Sequence, residues 1–454
     1  MKDYSLTGLG GVGGPTGANF LLKTPTISIL VDCGLIQGSH FSMEENQVDF
    51  PYNPKDIPIL IITHAHMDHI GRIPKLVRAG FSGIIYSTLE TREIAVYMLE
   101  DAEKLIAREA GESGREPIYG KEDIAHALSI WKTLEYHTPL ILSEDVSVYL
   151  KDAGHVLGSS IVEVSLKGLG KKIVFTGDLG NSPTPLLRDT EIVEDANYMV
   201  IESVYGDRNH EPKDVRDLKL RTVLVDSLKR GGTVVIPAFS LERTQVILYE
   251  INNLVEKNIL PKVPIFLDSP LAIKVTSVYR SHVENFNEKV RGTISGGDDI
   301  FDFPGLEVVR NSAESEAIHS RKGAKIIIAG SGMSVGGRVL SHEAFYLSDP
   351  NATVLLVGYQ VPGSLGRKIE EKASVVNVNG QEIYVKAHIE KISGYSSHRD
   401  SNGLVEFVSR SVKTLKKVFV AMGENKSATF LAQRLRDELG VDAIVQEKGK
   451  EYFL

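Results

Sequence analysis

Short runs of β-branched and other apolar residues recur through the first part of the chain, at 27–31, 59–63, 146–150, 161–166, 173–176 and 198–201. Each closes in a polar or glycine-bearing loop. Apolar positions at helical spacing lie between them, at 89–110 and 121–134, with Trp131 read as helix core. This alternation predicts an α/β (α+β) architecture of layered sheets. The charge-rich segment 206–217 reads as a boundary, and beyond it the strands change character. Residues 233–237, 265–267, 325–329 and 354–357 are nearly continuous apolar runs near helical segments such as 244–257. Parallel strands covered on both faces carry that signature. From 374 a hairpin, 375–378 and 382–387 around Asn379 and Gly380, returns the pattern to β structure. A strand at 418–421 and an amphipathic helix at 426–439 follow.

Length agrees with this division, because 454 residues exceed the roughly 250–300 at which a single core stops growing. The longest apolar stretches, 57–63 and 353–358, are far shorter than the ~18 residues a membrane helix needs, so no membrane partner is expected. The first residues lack the basic start and apolar run of a secretory signal, which predicts a cytoplasmic protein. The single cysteine, Cys33, excludes an internal disulfide and a cysteine-rich zinc site. Any metal must then be held by histidines and carboxylates. A net charge of -8 argues against a broad cationic face for nucleic acid, so phosphate binding would have to be local.

The candidate chemistry sits at strand ends. The run 59–63 leads into His64, His66, Asp68 and His69. Period-2 spacing lets the first two face one point, and a turn into a helix brings Asp68 and His69 to the same region. Imidazoles and carboxylates suit divalent zinc, and an open position on such an ion lowers the pKa of bound water to about 7. The plain alternative is a group of satisfied polar residues at a strand end. Four ligand-type residues within six positions count against it. His155 and Asp178 each follow another strand between glycines, which allow the sharp turn that projects a side chain over the sheet. The two oxygens of Asp178 suit it to bridge two ions.

Asp32, His64, His66, Asp68, His69, His155 and Asp178 resemble the metal motifs of the metallo-β-lactamase fold. Segments 202–207, 236–240 with Arg243, 267–272, 330–338, 358–360, 365–367 and 393–400 resemble those of the β-CASP nucleases. The nearest likeness is to bacterial and archaeal relatives of the mRNA 3′-end cleavage and polyadenylation specificity factor endonuclease, over essentially the whole chain. The resemblance implies a metallo-β-lactamase αββα sandwich built from 1–205 and 374–454. An inserted β-CASP α/β domain of mostly parallel sheet, 206–373, would interrupt it. It further implies His64, His66 and His155 on a first Zn2+, Asp68 and His69 on a second, Asp178 bridging, and Asp32 orienting a ligand imidazole. Glu202 and His398 would form a pair in which His398 protonates the leaving oxygen. Arg243, Ser331, Gly332, Arg338 and Arg367 would bind substrate.

The implied activity is hydrolysis of single-stranded RNA through two-metal activation of a bridging hydroxide. Endonucleolytic cutting is implied first, with 5′-3′ exonuclease action and a homodimer also open. One departure bears on the metals: Met422 stands where the family usually has a histidine. A thioether is a poor ligand for zinc, so the second site should be weaker, with Mn2+ as an alternative ion and His388 as a substitute ligand. Three rivals follow. They are a DNA-processing relative, which tends to carry an apolar residue there, a metallohydrolase of small esters, thioesters or lactams, and a catalytically impaired RNA-binding homologue. Glu202, Arg243 and His398 speak against the small-molecule enzyme, which needs no phosphate-binding domain. Gly8, Gly10 and Gly13 match a dinucleotide fingerprint, yet Pro15 and the strand at 27–31 follow instead of a helix, so a tight turn is expected.

Overall fold

The computed structural model describes residues 4–38, 42–361 and 363–454. Residues 1–3, the start of the N-terminal segment read above, lie outside them. The chain divides into two compact units, Met1–Asn209 with His398–Leu454, and His210–Ser397. Among the described residues no helix is long and apolar enough to cross a membrane.

The first unit carries two seven-stranded sheets. One runs in the order Glu451–Phe453, Ser5–Gly10, Asn19–Lys23, Ser28–Val31, Ile59–Ile61, Ile84–Ser87, Trp131–Thr133. The other runs Ala443–Val445, Lys417–Val420, Tyr198–Ile201, Lys171–Phe175, Ser160–Leu166, Val146–Asp152, Leu140–Ile141. Each is part antiparallel and part parallel, and C-terminal strands join both: Glu451–Phe453 pairs with Ser5–Gly10 in one, and Lys417–Val420 with Tyr198–Ile201 in the other. The two-residue side-chain period builds the layers. Ile173, Phe175, Val200 and Phe419 point inward against Phe20, Leu22 and Ile61 of the facing sheet. Their neighbours Val174, Met199, Ile201 and Val418 point outward against Leu404, Phe407, Leu431 and Leu435 of helices Ser401–Ser409 and Asn425–Leu439. Each fully buried side chain of this size contributes roughly 1.5–3 kcal/mol of hydrophobic stabilisation.

The second unit holds a six-stranded sheet, Leu306–Val308, Ile265–Asp268, Lys325–Ala329, Thr233–Pro237, Thr353–Leu356, His388–Lys391, parallel throughout. Helices Arg243–Glu256, Pro270–Ser281, Ser312–Ser320 and Val339–Tyr346 connect its strands. The hairpin Val375–Val378 with Gln381–Tyr384 packs Val376 and Val378 against Leu347, Val354 and Ile369 of this same unit. The unit accordingly runs on to Ser397, later than the boundary at 373 that the return of β pattern suggested.

Two local expectations change. The helix read over 121–134 ends at Ser129, and Trp131–Thr133 is a strand that pairs parallel with Ile84–Ser87. Trp131 is buried there, and its indole N–H donates to Ser87 Oγ at 2.8 Å, a partner that only the strand supplies. The strand at 59–63 ends at Ile61, so His64 and His66 lie beyond it, with His66 capping the short helix Met67–Ile70. Glycines 8–13 end strand Ser5–Gly10 and turn the chain toward Asn19–Lys23, and no helix follows.

Candidate metal centre

The polar residues of interest stand just past the carboxyl ends of five strands of the first unit. Asp32 follows Ser28–Val31, the histidine run follows Ile59–Ile61, and His155 follows Val146–Asp152. Asp178 follows Lys171–Phe175, and Glu202 follows Tyr198–Ile201. Backbone packing fixes the turns. A Cβ on Gly34 would lie 1.5 Å from Asp68 O, and one on Gly154 would lie 2.6 Å from Thr190 N, where φ is already +63°. Only glycine lets these loops close beside the ligand residues.

His64 Nε2 lies 3.1 Å from His66 Nδ1, which lies 3.2 Å from His155 Nε2. Asp178 Oδ2 is 3.4 Å from His64 Nε2 and 3.5 Å from His155 Nε2, so four ligand-type atoms converge. The other oxygen, Asp178 Oδ1, faces His69 Nε2 at 3.5 Å. That ring nitrogen is buried and has no hydrogen-bond partner among the described residues. His69 Nδ1 is held by Asp32 Oδ2 at 2.7 Å. Thr63 completes the support: its N–H and its hydroxyl each donate to Asp32 at 2.8 Å. The threonine oxygen also stands 3.0 Å from His64 Nδ1. Its share in the site was not read from sequence, though it directly precedes the ligand run.

Burial, then repulsion from His69, holds His64 below the ordinary histidine range. Burial also holds His66 and His155 well below it, reinforced by His64 and by His398 respectively. Neutral imidazoles offer lone pairs to a cation. His69 behaves oppositely: burial opposes its charge, but Asp178 and Asp32 outweigh burial and hold it well above the usual value. Asp68, which these groups feel electrostatically, is pushed above the carboxylate range, first by desolvation and then by Asp178 against the pull of His69. A pocket that stabilises positive charge and leaves a buried ring nitrogen unpartnered fits divalent cations. His64, His66, His155 and Asp178 would hold one ion. Asp68 and His69 fall outside that group.

His398 stands beside this cluster, its ring centroid 4.7 Å from that of His155. Its Nδ1 is 3.3 Å from Glu202 and 3.9 Å from Asp178 Oδ2. Glu202 is fully buried and accepts the Leu179 N–H at 2.7 Å. Burial works against the charge of His398, but the carboxylates of Glu202 and Asp178 prevail and raise it to about 9.

Three segments match family models: residues 13–224 the metallo-beta-lactamase superfamily, 244–369 the Beta-Casp domain, and 382–446 the Zn-dependent metallo-hydrolase RNA specificity domain. The chain is 35% identical to "Ribonuclease TTHA0252" of Thermus thermophilus, over 92% of this chain and 93% of that protein. The chain belongs to the β-CASP family of metallo-β-lactamase-fold nucleases. Other β-CASP relatives are an "RNase J-like protein" of Methanocaldococcus jannaschii, 31% identical over 94% of each chain, and the "Transcription termination factor FttA" of Methanosarcina mazei. The latter is 29% identical over 96% of this chain and 69% of that one. A solved structure of a protein of unknown function from Enterococcus faecalis V583 matches with a TM-score of 0.59 at 12% identity, covering 100% of both chains, a likeness of fold alone.

At the position of the usual β-CASP histidine, Met422 is buried in the core between the sheets, with its N–H on Gly11 O at 2.6 Å. His388 is exposed on strand His388–Lys391, in the second unit, and is absent from the metal-type groups of the described residues. The residues read as substrate contacts all fall in the second unit. Arg243 is buried and donates to Val357 O. Ser331 Oγ donates to Gly336 O at 3.2 Å, and Gly332 packs where a Cβ would sit 2.8 Å from Phe239 N. Arg338 donates to Asp268, and Arg367 lies at the surface beside Glu371.

Proposed function

We propose that this chain is a metal-dependent ribonuclease that hydrolyses phosphodiester bonds of single-stranded RNA. One observation carries the reading: Asp178 turns one oxygen to the His64, His66 and His155 cluster and the other to the unpartnered Nε2 of His69. A carboxylate so divided suits two cations. The donor set of three imidazoles and a carboxylate favours zinc at the first position. His69, Asp68 and Asp178 Oδ1 make a harder, poorer second set, for which zinc would bind more weakly and Mn2+ would serve. Bound divalent ions in such a site supply Lewis acidity and water of lowered pKa.

The residues themselves do the rest. Asp32 and Thr63 orient His69 and His64. Glu202 holds Nδ1 of His398, so the other ring nitrogen delivers the proton to the leaving oxygen. A side chain 22% exposed can reach substrate while its partner Glu202 stays dry. Ser331, Gly332 and Arg367 contact the RNA backbone, while Arg243 and Arg338 spend donors on protein groups and shape that surface. The ribonuclease and RNase J-like names of two full-length relatives favour RNA over DNA. A buried, unpaired Cys33 accords with a cytoplasmic setting.

Incubating end-labelled single-stranded RNA and matched DNA with the zinc- or manganese-supplied protein, and sizing the products, tests this. Internal or stepwise cutting of RNA ahead of DNA is expected. DNA cut in preference would favour the DNA-processing relatives, and RNA bound without cutting would favour a non-catalytic homologue.

A further inference from the structure

In the unit His210–Ser397, strands Ile265–Asp268 and Lys325–Ala329 run side by side, with Asp268 opposite Ala329. Asp268 is fully buried, and three side chains converge on it. Ser315 Oγ donates at 2.5 Å and His342 Nε2 meets it at 2.7 Å, both on Oδ2, while Arg338 Nη1 reaches Oδ1 at 2.5 Å. Arg338 spends further donors on the backbone: Nη1 on Val309 O at 3.1 Å and Nη2 on Arg310 O at 3.3 Å. The loop between Ala329 and Arg338 closes on itself. Ser331 N donates to Gly336 O and Val339 N to Gly330 O, and a Cβ on Gly337 would lie 2.4 Å from Gly330 O. One end of this loop is fixed by the strand. The other is fixed by the guanidinium on Asp268.

A guanidinium fork bound to a buried carboxylate and two carbonyls is poorly placed to meet a phosphate. We propose that Asp268 and Arg338 form a positioning pair: Arg338 does not contact the nucleic acid but, clamped by Asp268, holds the 330–338 loop in the shape that receives the RNA backbone. The pair rests on the reading of that loop as a substrate surface.

The two roles separate in salt dependence. Each phosphate contact made by a basic side chain adds about 0.7 to the slope of log Kd against log salt for single strands. Anisotropy titrations of labelled single-stranded RNA, with the zinc-loaded full chain at several salt concentrations, should find Arg338→Gln about tenfold weaker with its slope unchanged. Arg338→Lys keeps the charge and loses the fork, so it should be as weak as Arg338→Gln. Asp268→Asn should match them, and the double variant should be no worse than either single, because the two act as one unit. A slope reduced by about 0.7 in Arg338→Gln, wild-type affinity in Arg338→Lys, or multiplying losses in the double variant would each overturn the pair. If Asp268→Asn does not fold, the two Arg338 variants decide alone. No RNA binding by the unaltered chain would overturn the functional reading, and the pair with it.

Discussion

Asp32 accepts His69 Nδ1 at 2.7 Å, and the opposite nitrogen of that ring is thereby turned toward Asp178 Oδ1 at 3.5 Å. A carboxylate behind a ligand imidazole fixes its tautomer and raises its basicity, and losing such a group typically costs 10–100-fold in metal affinity. Asp32→Asn suits the positive φ of 61° and keeps the shape. It should retain folding while the affinity for zinc falls by about 10–100-fold, measured by competition with a calibrated chelator. Unchanged affinity would remove Asp32 from the support of the site.

Met422→His restores the imidazole that the family usually carries at this position, and histidine tolerates the positive φ of 49° found there. Metal analysis after dialysis should find one tightly held ion per wild-type chain and a larger second fraction in the variant. Equal second-ion content in both proteins would mean that residue 422 does not face that position.

His398→Ala should lower RNA cleavage by about 10²–10⁴-fold, the range expected when a positioned proton donor is lost. Metal held by the His64, His66, His155 and Asp178 group should stay the same, because His398 is not one of its members. Cleavage at the wild-type rate would favour a small-molecule hydrolase ancestry for the site.

Glu343, in the second unit, gives a pH signature of its own. It is fully buried, its Oε1 accepts Ser334 Oγ at 2.5 Å, its Oε2 has no hydrogen-bond partner, and burial raises its carboxyl to about 8. Between the ordinary 4.5 and about 8 the folded chain keeps a proton that the unfolded chain has lost. Its contribution is therefore complete below that window and disappears as pH rises through it, with a slope of at most about 1.4 kcal/mol per pH unit. Glu343→Gln should become more stable relative to wild type as pH climbs from 5 to 8 in melting experiments. Parallel melting curves across that range would refute the assignment.

The His64, His66, His155 and Asp178 group was legible as a candidate because ligand-type residues crowd the run 64–69 and the other two sit between glycines at strand ends, so local pattern carries them. The second sheet was legible because strands buried on both faces are apolar without interruption. Trp131 was misread because spacing alone cannot separate a helix end from a three-residue strand whose pairing partner, Ile84–Ser87, lies far back in the chain. The hairpin after 374 looks like any other hairpin, and its packing on Val354 and Leu347 is what groups it with the second unit. The Asp268, His342 and Arg338 network could not be seen at all. Asp268 stands 70 residues from Arg338 and 74 from His342, so only the fold brings its carboxylate to them.

The central claim is a cation held by residues from three strand ends. Anomalous diffraction at the zinc edge, from a crystal grown with zinc, measures it directly. A strong peak is expected among His64 Nε2, His66 Nδ1, His155 Nε2 and Asp178 Oδ2, and a weaker one between Asp178 Oδ1 and His69 Nε2. Zinc bound elsewhere with those four side chains bare would contradict it.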